Sequence, residues 1–209
     1  LTFMPSKMTS FSHTHTDKDL KRLRQFLAET LKKSGLQIPG QPADGMQLLN
    51  LACGRADETE VLADVFGSES DSIHLTGIDI RTREIGEAKE RWKKLPSKVS
   101  ADFLVQDASQ LDRLKQLNNE FDIAFMRHQN FWNGDTTWTK IYDEALHRLD
   151  DDGLLVITSY FDHEHRLALD AIQGLGAELV CSERNSDSRI ITDAPNKSVD
   201  RHLAVFRKP

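Results

Sequence analysis

Cysteine is scarce in this chain: 209 residues contain two, Cys53 and Cys181, each expected in or beside a buried strand. Two thiols make no secreted disulfide framework, so a reducing, cytoplasmic setting is the default expectation. Long apolar runs are also missing. Nothing approaches the ~20 residues that span a bilayer, so no membrane partner is expected. The opening residues, Leu1 to Met8, hold no long hydrophobic segment and are not read as a signal peptide. Positive charge is not in excess: 27 Lys and Arg stand against 33 Asp and Glu, a net charge of −6. That balance argues against phosphate-backbone binding as the main activity, so no nucleic-acid partner is expected. Metal-ligand spacing is absent too. In Asp162-His163-Glu164-His165 the histidines stand two apart at a helix start, whereas a helical zinc site needs them four apart. His13 and His15 lie in an aperiodic Ser/Thr/His-rich stretch. No metal is expected.

What is present is a composition of 38 % hydrophobic and 29 % charged residues, which suits a folded soluble domain. Residues 1–15 read as a flexible tail and 16–209 as one domain, with 16–45 as a helical extension before the first strand. Leu20, Leu23, Leu27 and Leu31 share one helical face between Asp17 and Ser34, with Thr16 as the expected N-cap and Gly35 past the C-terminus. Strands are expected at Gln47–Leu51, Leu75–Ile80, Asp102–Gln106, Phe121–Met126, Leu154–Thr158, Ala177–Cys181 and His202–Phe206. Helical faces separate all but the last two (Val61/Leu62/Val65, Ile85/Ala88/Trp92, Leu111–Leu117, Ile141/Ala145/Leu146, Leu167/Ala171/Ile172). Such alternation predicts an α/β fold with a mostly parallel sheet and helices on both faces. The last strand, reached without a helix, is expected to enter antiparallel at or near an edge.

The first strand ends in a small-residue turn, Asn50-Leu51-Ala52-Cys53-Gly54-Arg55-Ala56, and a helix follows. A strand, a tight turn and a helix N-terminus bring backbone N–H groups to whatever sits above them. Twenty-five residues after Gly54 the second strand ends in Asp79, where a carboxylate can accept from both hydroxyls of a ribose. Together these stretches resemble the first two motifs of the class I S-adenosylmethionine-dependent methyltransferases. The family turn reads D-x-G-x-G-x-G; here Asn50, Ala52, Gly54 and Ala56 stand at those places. Alanine is compatible with close approach if φ is negative there. The resemblance implies a Rossmann-like three-layer sandwich with a seven-stranded sheet and an antiparallel last strand. It also implies S-adenosyl-L-methionine as cofactor and methyl transfer to an acceptor, here expected to be a small molecule.

By the same resemblance, the cofactor-binding positions are Asn50, Ala52, Gly54, Asp79, Ile80, Asp107, Ala108 and, through its main-chain carbonyl, Arg127. Asp107 would accept from the adenine amine and Ala108 would donate its N–H. Asn50 would stand near the ammonium group, and Asn50→Asp is then expected to tighten binding. The acceptor is expected against residues after the later strands, with Asn130, Trp132, Tyr160 and His163 as pocket candidates and His128 as the candidate general base. The segment Arg184 to Val199 is expected to form a rim over that edge. Two other readings use the same fold. One is a non-catalytic cofactor-binding or interaction protein, suggested by the single glycine of the turn. The other is an NAD-dependent oxidoreductase, disfavoured because Asp57 would oppose a pyrophosphate at the helix N-terminus. Nothing in the sequence fixes an oligomeric state or the methyl acceptor.

Overall fold

The computed structural model describes residues 8–39, 45–117 and 120–209. Seven strands form one sheet: β1 (Met46–Leu51), β2 (Ile73–Asp79), β3 (Val99–Val105), β4 (Phe121–Arg127), β5 (Leu149–Ser159), β6 (Glu178–Arg184) and β7 (His202–Arg207). Their order is β3-β2-β1-β4-β5-β7-β6. β7 runs antiparallel to both β5 and β6, and all pairs from β3 to β5 are parallel. The order reverses direction between β1 and β4, and a crevice opens at the carboxyl ends of strands at such a point.

Parallel strands buried on both faces need side chains that are apolar on both sides, and β1 shows it. Leu48 packs with Leu23, Phe26, Leu27 and Leu31 of α1 (Met8–Ser34) and with Leu62 and Phe66 of α2 (Thr59–Phe66). Leu49 and Leu51 belong to the opposite core, with Tyr142 and Ala145 of α4 (Asp135–His147) and Ala168 and Ile172 of α5 (Asp162–Gly174). A smaller cluster beneath the turn after β1 joins Cys53 and Ala56 to Ile85 and Ala88 of α3 (Thr82–Arg91) and to Phe103. Gly77 is required there: a Cβ on it would stand 2.6 Å from the Phe103 ring.

Two boundaries differ from expectation. Helix α1 starts at Met8, so Thr16 lies inside it and residues 8–15 are helical; residues 1–7 of the expected tail, and with them its mobility, lie outside the described residues. The short helix expected over Leu111–Leu117 is a 3-10 segment over Ala108–Arg113, which Asp107 caps. Among the described residues no helix is long and apolar enough to cross a membrane.

His165, buried in α5, ties three strands together. Its Nδ1 lies 3.0 Å from Ser159 Oγ, its Nε2 lies 2.9 Å from Ser182 Oγ, and its ring stacks on His202 at 4.5 Å. Burial, and then the neighbouring His202, holds it down to about 3. The unfolded chain takes up this proton below about pH 6.5 and the folded protein does not, so stability is lost as pH falls from there toward 3. Wild-type protein is expected to lose about 1.4 kcal/mol per pH unit through this residue once below pH 6. Urea unfolding at pH 7 and pH 5 should show a smaller acid loss for His165→Gln; an equal loss in both proteins would refute the assignment.

Candidate functional site

The turn after β1 keeps a left-handed backbone at all three positions where the related motif has glycine: φ is 52° at Ala52, 53° at Gly54 and 54° at Ala56. The condition of negative φ, under which alanine is compatible with close approach, is therefore not met at either position. An L-residue there costs roughly 1–2 kcal/mol, and the surroundings enforce it. The Ala56 carbonyl accepts from Thr59 N (3.1 Å), Thr59 Oγ1 (2.6 Å) and Trp92 Nε1 (2.9 Å), while Ala56 N donates to the Cys53 carbonyl. Local bonds and one tertiary bond, from Trp92, thus hold the turn at Ala56 without a glycine there.

Asp79, at the end of β2, faces this turn and is buried. Gly54 N donates to its Oδ2 at 2.8 Å; Arg81 donates its main-chain N (2.9 Å) and Nε (3.0 Å) to Oδ1 and its Nη2 (3.3 Å) to Oδ2. Burial pushes this carboxyl up, but the bonds from Arg81 and Gly54 outweigh it and leave the group below its usual range. Sequence reasoning missed Arg81. Its guanidinium also lies over the turn, since a Cβ on Gly54 would meet Nη2 at 3.1 Å. The Arg81 side chain is 57 % exposed and has Glu84 at 3.8 Å as a second carboxylate. Next to Asp79, Ile80 is 65 % exposed, and Val105, in register with Asp79 on β3, is 45 % exposed. Both are apolar side chains left in water at neighbouring strand ends. Asp107 is an N-cap: its Oδ1 takes both Ser109 N (2.9 Å) and Ser109 Oγ (2.7 Å), and those bonds hold its carboxyl low. Ala108 follows it, buried.

Across the crevice, Arg127 ends β4. Its side chain, outside the expected backbone contact, is buried and grips Asp200 through Nε (3.0 Å to Oδ1) and Nη2 (2.7 Å to Oδ2). Thr158 Oγ1 donates to the same Asp200 Oδ1 at 2.8 Å. Burial pushes the Asp200 carboxyl up, yet the Arg127 charge and His128 win and hold it far below the ordinary range. His128 is left-handed (φ 56°), stacks on Tyr160 at 3.6 Å, and accepts from Asp200 N at Nε2 (2.8 Å). Burial keeps it neutral. A neutral ring that accepts at Nε2 carries its proton on Nδ1, so in this arrangement neither nitrogen has a free lone pair and a base role needs the Asp200 N bond to open.

The pocket candidates separate. Tyr160 joins His128, with Lys197 4.8 Å from its ring centroid. Trp132, 48 % exposed, packs on Phe161 and His163, with centroids at 6.2 and 5.1 Å. Asn130 bonds instead to Asn133 at 3.0 Å. Residues 184–199 fold as an excursion with a bridge between Ile190 and Ser198, and Ser198 N donates to the Tyr160 carbonyl. Arg189 ties it to α1 through a bidentate pair with Asp19, Nη2 to Oδ2 at 2.8 Å. Among the described residues no group of three His, Cys, Asp or Glu side chains is placed to hold a metal.

Asn50 is buried at the end of β1. Its Nδ2 donates to Glu58 Oε1 at 2.8 Å. Asn50→Asp would therefore set a second carboxylate against Glu58, so the expectation that this change tightens binding is withdrawn. Glu58 was missed, although it falls on the same helical face as Leu62 and Val65, where an acid is conspicuous.

The family model of a methyltransferase domain matches residues 42–198. No curated protein matches the sequence. Among solved structures, the N-methyltransferase NodS from Bradyrhizobium japonicum aligns over 90 % of this chain and 97 % of its own, at 19 % identity and a TM-score of 0.59. A S-adenosylmethionine-dependent methyltransferase from Clostridium acetobutylicum aligns over 97 % and 99 %, at 12 % identity and 0.66. The cyclase SpnF aligns over 90 % and 81 %, at 18 % identity and 0.63. At these identities the likeness is one of fold.

Proposed function

Since the chain belongs to the methyltransferase-domain family, we propose that it binds S-adenosylmethionine at the β1–β2 end of the crevice and methylates a small-molecule acceptor. The cofactor would supply a methyl group already activated on a sulfonium, so the protein's task is chiefly to hold and align. The observation that carries the reading is the left-handed Ala52-Gly54-Ala56 turn closed on Asp79 by the Gly54 N–H bond. It keeps the motif's backbone although two of its glycines are gone. Asp79 accepts from ribose hydroxyls once the exposed Arg81 guanidinium turns aside toward Glu84. Ile80 covers one face of the base, Asp107 accepts through the oxygen that Ser109 leaves free, and Ala108 N donates. On the far wall, Tyr160, Phe161 and Trp132 form the apolar side of the acceptor pocket, and His128 becomes a proton acceptor only where its Nε2 is released from Asp200 N.

Fold alone does not dictate methyl transfer, as the similarity to a cyclase illustrates. The test is calorimetric titration with S-adenosylmethionine and, separately, NADH. Binding of the first and silence with the second are expected. The reverse pattern would replace this reading with the oxidoreductase one, and silence with both would favour an interaction protein on this fold.

A further inference from the structure

Among the described residues two buried side-chain polar atoms lack a hydrogen-bond partner, and one is Asn50 Oδ1. It stands at the end of β1, beside the crevice where the strand order reverses. The other atom of the same amide is committed to Glu58, whose carboxylate is itself 4 % exposed. A carboxylate offers about four acceptor sites, and Asn50 and the main-chain N–H of Glu58 itself fill two of Glu58's. The nearest cation, Arg127 Nη1, is 4.0 Å from Oε2, beyond hydrogen-bond reach, and the guanidinium spends Nε and Nη2 on Asp200. A buried carboxylate left partly compensated beside an orphaned carbonyl oxygen is costly to the free protein. Burial accordingly raises the Glu58 carboxyl above its ordinary range.

These groups ask for one kind of ligand. Two acceptors on the β1 side want a cationic donor. The one guanidinium edge facing them from β4 suits an anion. A primary ammonium and a carboxylate on the same carbon meet both demands. We propose that Glu58, oriented by Asn50, receives the ammonium group of the ligand's amino-acid end together with Asn50 Oδ1, while Arg127 Nη1 faces its carboxylate. The acid absent at position 50 is thus replaced from position 58, across the turn. This rests on the cofactor reading above, because the cofactor carries such an end.

Two probes isolate the contact. S-adenosylhomocysteine has the nucleoside and the amino-acid end; 5′-methylthioadenosine has the nucleoside alone, and neither carries a sulfonium. Exchanging a charge-assisted acceptor for a neutral one, Glu58→Gln is expected to weaken S-adenosylhomocysteine about tenfold. The same variant should leave 5′-methylthioadenosine unchanged. The swapped pair, Asn50→Asp with Glu58→Gln, should recover most of the lost affinity, since it moves the charge to the other member of the pair. Equal weakening of both probes, or no change in either, would overturn the proposal, and Glu58→Gln alone decides if the swapped pair does not fold. A wild-type protein that binds 5′-methylthioadenosine but gains nothing from the amino-acid end would overturn it while sparing the nucleoside site. A wild-type protein that binds neither probe would remove the cofactor reading itself.

Discussion

Asp79→Ala is expected to lower S-adenosylmethionine affinity by about a hundredfold or more while leaving the protein folded. Two hydroxyls donating to one carboxylate are worth about 1.5–3 kcal/mol each, and a hundredfold corresponds to about 2.7 kcal/mol. The lower part of that range applies, because in the free protein the same carboxylate already holds Gly54 N and three donors of Arg81. The ligand replaces bonds there; it does not fill an empty acceptor. For the same reason Arg81→Ala should move affinity the other way. Removing an exposed competing cation relieves about 0.2–1 kcal/mol, up to roughly fivefold tighter binding. The opposite signs matter, since a merely structural Asp79–Arg81 pair would make both variants bind worse. Calorimetry on the two variants, with circular dichroism as the folding control, decides between these outcomes. Unchanged affinity in Asp79→Ala would put the ribose elsewhere.

Asp200→Ala is expected to cost the fold about 3–5 kcal/mol, the loss typical of stranding a buried charge by deleting its partner. Asp200 is fully enclosed and serves three residues from two other strands and the loop after β4: Arg127, Thr158 and His128. Its removal leaves the Arg127 guanidinium with Glu58 at 4.0 Å as its remaining carboxylate. For a chain of this size the melting temperature should fall by roughly 10 °C. Asp200→Asn keeps the shape and an acceptor for Thr158, so about half that loss is expected. Urea unfolding measures both. A loss under about 1 kcal/mol in the alanine variant would mean that Arg127 finds compensation in water or at Glu58.

Much of this architecture was legible in the chain. Buried parallel strands announce themselves as short apolar runs, and the runs ending at Leu51, Met126 and Thr158 fall where β1, β4 and β5 lie. The alternation with helical faces then dictated the sheet. Asp79 and Asp107 were legible for a related reason: residues that end strands on one side of a parallel sheet share an edge. What local sequence does not encode is who bonds to whom at that edge. The left-handed φ at Ala56 goes with the Trp92 and Thr59 donors on its carbonyl, which the alanine itself does not announce. Arg81 covering Asp79 is a choice of rotamer. Asp200 finds Arg127 from 73 positions away, and no periodicity signals it. The start of α1 was missed because the apolar period legible in the sequence begins at Leu20, twelve residues after the helix does.

The place of β7 has a bearing on the order in which this molecule assembles. Among the described residues the last strand, β7, lies between β5 and β6, and β6 has no other strand beside it. The five strands from β3 to β5 can zip together by successive crossovers, whereas β6 must wait, unpaired at its edge, for a segment that arrives later. Pairing of this kind carries a high loop-closure cost and comes late in folding. Asp200 stands two residues ahead of β7. The Arg127 guanidinium therefore meets its carboxylate at the final step, when the strands on the β1–β2 side of the crevice have already paired.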